Sequence, residues 1–293
     1  VTTVAVIGLG LMGSSFAMAL KAARPDVVLV GSDSDPEVVR KAVDRRIVEV
    51  AHSDLSMVDI ADVVVVAAPI RALRDVFRGL AGKTATKVVT DMASTKVAVM
   101  DWASAAGVDL VGGHPMCGKE LYGIDAADPS IFRGAPWVIT RHDDKVVEMI
   151  EAVGSHPIVL SAAKHDRLVA GVSHAAFLLS VGYVLALSGR SDWPEAAEVA
   201  GSGFRDMSRL AAGDPELYAS VARTNRENMV AMLDAVAAEL TRLRRHLEAD
   251  DPRLVELFEE AHTVREKWAK SIATGAPPPG AASRRRPPPK VGR

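Results

Sequence analysis

The sequence predicts an α/β fold, a doubly wound parallel sheet followed by an all-helical region, and three observations predict it. Short β-branched runs alternate with helix-like segments over the first 160 or so residues. A glycine-rich turn follows the first run directly. After Ser161, strand-like runs give way to long stretches with helical spacing. Alternating strands and helices imply parallel strands joined by crossover helices, because a parallel pair cannot be closed by a tight hairpin.

The elements follow in order. TVAVI (3–7) is a buried-strand run, and GLGLMG (8–13) leads from it into the alanine-rich helical pattern SSFAMALKAA. VVLVGSD (27–33), ADVVVVAAP (61–69), KVVTD (87–91) and DLVGG (109–113) are further strands, each preceded by a helix-like segment. APWVIT (135–140) and HPIVL (156–160) flank the helical segment 143–153 and are expected to extend the same sheet. The 165–187 stretch, HDRLVAGVSHAAFLLSVGYVLAL, is apolar nearly all round, as in a helix buried among helices. Met232, Val236, Leu240, Leu243 and Leu247 recur every three or four residues, a stripe that suits a core face or a dimer seam equally. The expected domains are 1–161 for the sheet and 162–274 for the helices, with 275–293 a disordered tail rich in Pro, Gly and Arg.

Composition narrows the function. With 293 residues and 48% hydrophobic content, the chain can bury two cores. Its 35 basic and 37 acidic residues argue against a general nucleic-acid or membrane binder, although the tail is locally basic. A single cysteine excludes an internal disulfide and a Cys-cluster zinc site. The apolar runs read as too short to span a bilayer, and the chain enters an apolar strand at once, so the expectation is a soluble cytoplasmic protein.

Gly8, Gly10 and Gly13, with Leu11 and Met12 between them, fit G-x-G-x-x-G between a strand and a helix, the setting of a Rossmann-like dinucleotide site. Backbone N–H groups and the helix N-terminus there can face a pyrophosphate. Asp33 ends the second strand, where a carboxylate can accept hydrogen bonds from a ribose diol. It would repel a 2′-phosphate, and Ser34 and Asp35 supply no Arg to bind one, so NAD is favoured over NADP. Pro69 sits where the strand tips border the nicotinamide side.

Four polar constellations could carry chemistry. Asp91–Lys96 follows a strand, and Ser94 or Thr95 could simply cap the next helix. GGHPMCGKE (112–120) also follows a strand and offers His114, Cys117 and Glu120 as metal donors, with no second cluster to complete a shell. The third is Lys164–Asp166 through Ser173 and His174; His174 lies inside an apolar helix, where a satisfied core histidine is the commoner outcome. If Gly201–Arg209 is helical, Arg205 and Arg209 stand one turn apart, with Asp206 three residues from Arg209; two guanidinium groups on one face suit a substrate with carboxylates, or a solvated surface.

Taken together, GLGLMGSS (8–15), DMASTK (91–96), GGHPMCGKE followed by YGIDAA (122–127) and SIFRG (130–134), KHD (164–166), VSH (172–174), and GFRDMSRLA (203–211) with DPELY (214–218), Asn225 and Asn228 resemble the prephenate/arogenate dehydrogenase family of tyrosine biosynthesis. The resemblance covers about residues 3–230 and implies a dinucleotide-binding domain followed by a helical dimerisation domain, hence a homodimer. It implies oxidative decarboxylation. Hydride leaves C4 of the cyclohexadiene for the nicotinamide, the 4-hydroxyl proton leaves to a base, and the ring carboxylate departs as CO2, driven by aromatisation.

By the same resemblance His114 is the catalytic base and Ser94 hydrogen-bonds the same hydroxyl, which displaces the capping reading. Arg209 binds a carboxylate, Arg205 holds a position often basic, Asp206 orients Arg209, Glu120 stands at the site entrance and His174 is a substrate-side residue. Cys117 is left as a small packing residue, and no metal is implied. In one respect the chain departs from the family: a second His three residues after His174 is replaced by Phe177, near the substrate side chain that is a keto acid in prephenate and an amino acid in arogenate. The alternatives are a 4-amino-4-deoxyprephenate dehydrogenase, a β-hydroxyacid dehydrogenase, for which a catalytic Lys is missing from GSGFRDMSRL, and a non-catalytic NAD-sensing or assembly module.

Overall fold

The structure is a computed structural model that describes residues 2–119 and 121–274, so the expected disordered tail at 275–293 and the candidate Glu120 lie outside the described residues. The first half runs β1 (Thr3–Ile7), α1 (Leu11–Ala23), β2 (Val28–Ser32), α2 (Pro36–Asp44), β3 (Val50–His52), β4 (Val63–Val66), α3 (Ile70–Leu80), β5 (Val88–Asp91), α4 (Val97–Ala105) and β6 (Leu110–Val111). These six strands form one sheet in the order β3-β2-β1-β4-β5-β6, every neighbouring pair parallel. Register aligns the carboxyl ends: Ile7 sits beside Ser32 and Val66, and Val66 beside Asp91. The loops that begin at Gly8, Asp33, Ala67 and Met92 therefore leave from one edge, where ligands bind in such sheets.

Strand β4 shows why the sheet is central. Its four consecutive valines are all buried, odd and even positions entering apolar clusters on opposite faces. A strand covered on both sides loses the polar alternation of a half-exposed one. Strand β3, only three residues long with two of them exposed, carries no such apolar run and was not expected.

The later strands depart from expectation. β7 (Gly113–Pro115), β8 (Pro136–Ile139) and β9 (His156–Val159), with α5 (Asp144–Ala152) between the last two, form a separate three-stranded sheet. β7 and β8 are antiparallel, and β8 and β9 are parallel. The DLVGG run is divided at Gly112, whose amide donates to the Thr140 Oγ1 at 2.9 Å. A Cβ on Gly113 would lie 2.3 Å from the Asp91 carbonyl oxygen, so only glycine lets the chain cross β5 this closely on its way to β8.

The helical part comprises α6 (Ala162–Val169), α7 (Ala175–Ser188), α8 (Trp193–Glu198), α9 (Ser202–Ser208), α10 (Pro215–Thr224), α11 (Arg226–Glu248) and α12 (Leu254–Thr274). Helices α6 and α7 are joined by a π turn at Ala170–His174 into one helix of 27 residues, Ala162–Ser188, which by length and composition alone is long and apolar enough to cross a membrane, unlike the shorter runs expected from the sequence. Its Ala170 and Phe177 pack with Val221 and Met229 into the same apolar cluster as Val64, Leu73 and Phe77 of the sheet domain. The chain divides into compact units at Met232/Leu233, within α11. In the second unit, Leu240, Leu247, Phe258 and Trp268 are exposed in the single chain.

Candidate active site

The glycine loop is shaped by steric necessity at two positions. Gly8 has φ +92°, and a Cβ there would lie 2.7 Å from the Ala68 nitrogen; a Cβ on Gly13 would lie 1.9 Å from the Gly8 carbonyl oxygen. Gly10 is different, since its Cβ would meet nothing within 4 Å. It is the N-cap of α1 with no side-chain cap, which leaves the first amides of a 13-residue helix available to an anionic ligand. Ser14 Oγ donates to the Leu9 carbonyl at 2.8 Å, and Asp33 Oδ2 accepts from the Leu9 amide at 2.8 Å. Asp33 thus braces the loop, and its carboxylate retains acceptor capacity toward a ribose.

Gly8 and Gly10 line a cleft of about 840 Å³ with Leu11, Met12, Asp33, Pro69, Ser94, His114, Cys117 and Tyr218. The glycine cradle, the uncapped helix start and the acid at the tip of β2 fit a dinucleotide lying along the carboxyl edge of the sheet. Burial pushes the Cys117 thiol up to about 12, and its side chain packs against the apolar core, as a small filler would.

At the other end of the cleft a polar network holds His114, which is only 8% exposed. His114 Nδ1 lies 2.8 Å from His165 Nε2, and His165 Nδ1 lies 2.7 Å from Asp166 Oδ1. The Asp166 carboxylate also accepts from the backbone amides of Lys96 at 2.7 Å and Val97 at 2.8 Å, capping α4 from another part of the chain. Neither Ser94 nor Thr95 caps that helix: Ser94 lines the cleft and Thr95 Oγ1 meets Thr224 Oγ1 at 3.0 Å. Burial holds the His114 imidazole well below the usual range, and His165, Lys96 and His174 push the same way. His114 is therefore a neutral ring near pH 7, the state that can accept a proton.

Lys96 is wholly buried. Its ammonium pairs with Asp91, also wholly buried, and donates to the Gly113 carbonyl at 2.5 Å. Asp91 in turn accepts from the Gly113 amide at 2.8 Å and the Ala93 amide at 2.9 Å. The pair clamps the start of β7 to the end of β5, one residue before His114. Burial lowers the Lys96 ammonium, and Asp91 is the main opposing influence.

The remaining candidates are placed as follows. His174 is buried, its Nδ1 3.0 Å from Asn225 Nδ2, and it does not line the cleft. Arg205, Asp206 and Arg209 are exposed on α9 and the 3-10 turn after it (Arg209–Ala212), just short of Leu210, where the chain begins to line the cleft. Asp206 makes no ion pair with Arg209 among the described residues. Phe177 stacks on Tyr218 at 4.0 Å between ring centroids, 3° from parallel, placing the aromatic pair beside the cleft. The sequence reading assigned no role to His165, Asp166 or Lys96. The available signal was an Asp and a His side by side next to the apolar run Leu168–Val172, since a carboxylate buried there must have partners.

Comparison with known proteins follows the same outline. The family model described as prephenate dehydrogenase, nucleotide-binding domain, matches residues 16–161, and that described as prephenate dehydrogenase, dimerization domain, matches residues 161–260. The chain is 30% identical over 285 residues to a prephenate dehydrogenase of Lactococcus lactis subsp. cremoris, covering 92% of this chain and 78% of that one. It is 30% identical over 277 residues to a cyclohexadienyl dehydrogenase of Zymomonas mobilis, covering 89% and 94%. Among solved structures, prephenate dehydrogenase of A. aeolicus in complex with hydroxyphenyl propionate and NAD+ superposes with a TM-score of 0.85 at 28% identity, covering 91% of this chain and 98% of that one. Synechocystis arogenate dehydrogenase does so with 0.79 at 31% identity, covering 91% and 100%.

Proposed function

The chain belongs to the prephenate dehydrogenase family, and on that premise we propose that His114 is the base of an NAD-dependent oxidative decarboxylation and Ser94 its partner at the substrate hydroxyl. The enzyme converts prephenate or arogenate to 4-hydroxyphenylpyruvate or tyrosine in tyrosine biosynthesis. Gly8, Gly10 and Asp33 would hold NAD along the glycine cradle, where it would supply the hydride acceptor for the reaction.

The chain's own residues do the rest. His114 takes the proton of the 4-hydroxyl as the C4–H bond breaks, which drives electron density toward C4. The C1–carboxylate bond then breaks, its electron pair enters the ring, CO2 leaves, and the proton held on His114 returns to the oxygen to give the phenol. A neutral, nearly buried imidazole suits this shuttle, because the cleft around it excludes competing water. Arg209, one residue before the cleft-lining Leu210, is assigned to a substrate carboxylate, with Arg205 adding positive charge nearby. Phe177 and Tyr218 form the aromatic boundary near the substrate side chain, where a charged contact would otherwise discriminate keto from amino acid. The helical segment 162–274 supports a homodimer, since its exposed Leu240, Leu247, Phe258 and Trp268 suit burial against a second copy.

The single observation that carries this reading is that His114 and Ser94 line the same cleft as Gly10 and Asp33. The test is NAD reduction with prephenate, arogenate and a simple β-hydroxyacid. Turnover of either cyclohexadienyl substrate, abolished in kcat by His114→Ala with NAD affinity retained, supports it. Turnover of the β-hydroxyacid alone sinks it.

A further inference from the structure

The geometry points to His165 and Asp166 as a positioning pair that fixes the tautomer of His114, leaving its Nε2 without a proton, while the same Asp166 carboxylate anchors the Ser94 loop. This rests on the reading of His114 as the base and adds what prepares it for that role.

The proton positions follow along the hydrogen bonds from the carboxylate outward. Asp166 is 1% exposed and its two oxygens already accept from the Lys96 and Val97 amides. A carboxylate only accepts, so the His165 nitrogen 2.7 Å from Oδ1 must be the one carrying hydrogen, Nδ1–H. In the neutral ring His165 Nε2 is then a lone pair. His114 Nδ1, 2.8 Å away, must donate to it. Once Nδ1 holds the proton of a neutral His114, Nε2 cannot. That nitrogen has no partner among the described residues and belongs to a side chain that lines the cleft. The reverse wiring would set the lone pair of His165 Nδ1 against a carboxylate oxygen in a buried site, which is unfavourable.

Two further contacts fix the pair. The Asn225 amide nitrogen donates to the Asp166 main-chain carbonyl at 2.8 Å, and Asn228 Nδ2 donates to Asn225 Oδ1 at 2.8 Å, so the amide orientation is set from both sides. His165 itself is wholly buried and cannot reorient into solvent. Because Asp166 binds the first amides of α4, a shift of the relay also shifts the loop that carries Ser94. Base and hydroxyl partner are thereby positioned by one carboxylate. When His114 takes a proton, the resulting imidazolium donates along the same chain toward Asp166. The other charged or titratable groups facing His114 are Lys96 at the start of α4 and His174 from the π turn.

The direct test is the ¹⁵N spectrum of histidine-labelled full-length protein near neutral pH, with His114 assigned by its loss in His114→Gln. Expected are a pyrrole-type Nδ1 and a pyridine-type Nε2 for His114; a pyridine-type Nδ1 overturns the proposal. Kinetics supply a second arm. His165→Gln can accept from His114 and donate to Asp166, and should keep kcat within about tenfold. His165→Met fills the space without either bond and should lower kcat by roughly 100-fold or more, with KM and NAD affinity little changed. Asp166→Asn invites the reversed wiring; a wrong-tautomer change of this kind costs about 10⁴ in kcat in serine proteases. Equal kcat for His165→Met and wild type overturns the proposal. Full activity in His114→Ala instead removes the base assignment, while the spectrum still reports on the pair alone.

Discussion

Lowering the pH should unfold this protein partly through His174, and the size of that effect follows from its surroundings. The ring is 2% exposed, its Nδ1 accepts from Asn225, and its Nε2 is buried with no hydrogen-bond partner among the described residues. Burial, with the nearby Asp166 opposing it, lowers the ring from 6.5 to about 4. A histidine whose folded value lies below its unfolded value binds fewer protons in the native state. Its contribution is therefore intact above pH 6.5 and is lost progressively as the pH falls toward 4. From the ordinary value down to pH 5 is about 1.5 pH units, and at 1.36 kcal/mol per unit this one ring removes about 2 kcal/mol. His114 acts in the same direction, and His174 is the smallest of the influences on it, so the change at position 174 removes chiefly the ring's own contribution. Urea unfolding at pH 7 and pH 5 of wild type and His174→Gln isolates the term. With a slope near 3 kcal/mol per molar urea, the wild-type midpoint should drop about 0.7 M further than the variant's. Equal drops in the two proteins would refute the assignment of acid sensitivity to this buried ring.

Three further outcomes are expected. Gly13→Ala, whose Cβ would meet the Gly8 carbonyl at 1.9 Å, should distort the loop and lower the melting temperature, whereas Gly10→Ala, with open space at its Cβ, should fold normally yet bind NADH at least tenfold more weakly in a fluorescence titration. Lys96→Met leaves the Asp91 carboxylate buried without its cation and should cost about 3–5 kcal/mol in thermal or urea unfolding; a loss under 1 kcal/mol would show that the ion pair is dispensable. Asp33→Ser removes the charge that opposes a 2′-phosphate and the acceptor that holds the Leu9 amide, so kcat/KM with NAD should fall and the NAD-to-NADP ratio narrow by tenfold or more.

The sequence by itself determined the parts whose physics is local. A strand, three spaced glycines and a helix in succession specify a dinucleotide loop: Gly13 answers a constraint from Gly8 five residues away, whereas the closeness of Gly8 to Ala67 and Ala68 comes from the neighbouring strand. Four valines in a row specify a strand buried on both faces, and the change to helical spacing after Ser161 marks the helical half. His114 stood out because a histidine beside glycines at a strand tip has few structural uses.

The tertiary structure decided which distant residues met. The apolar runs of β8 and β9 look like those of β1 and β2, and nothing in them states that β8 pairs antiparallel with β7, turning Gly113–Pro115 out of the main sheet. His165 lies 51 residues from His114, and Asp166 lies 70 from the Lys96 amide it caps. Periodicity cannot reveal that an apolar helix places one polar pair against the catalytic strand, because its pattern records which face is buried and not what that face meets. The same limit applies to Arg205 and Arg209: their spacing fixed their common face, while the fold set that face outside the cleft lining. Local backbone preference is written in neighbouring residues; the proton wiring of His114 depends on contacts that exist only once sheet and helices have packed.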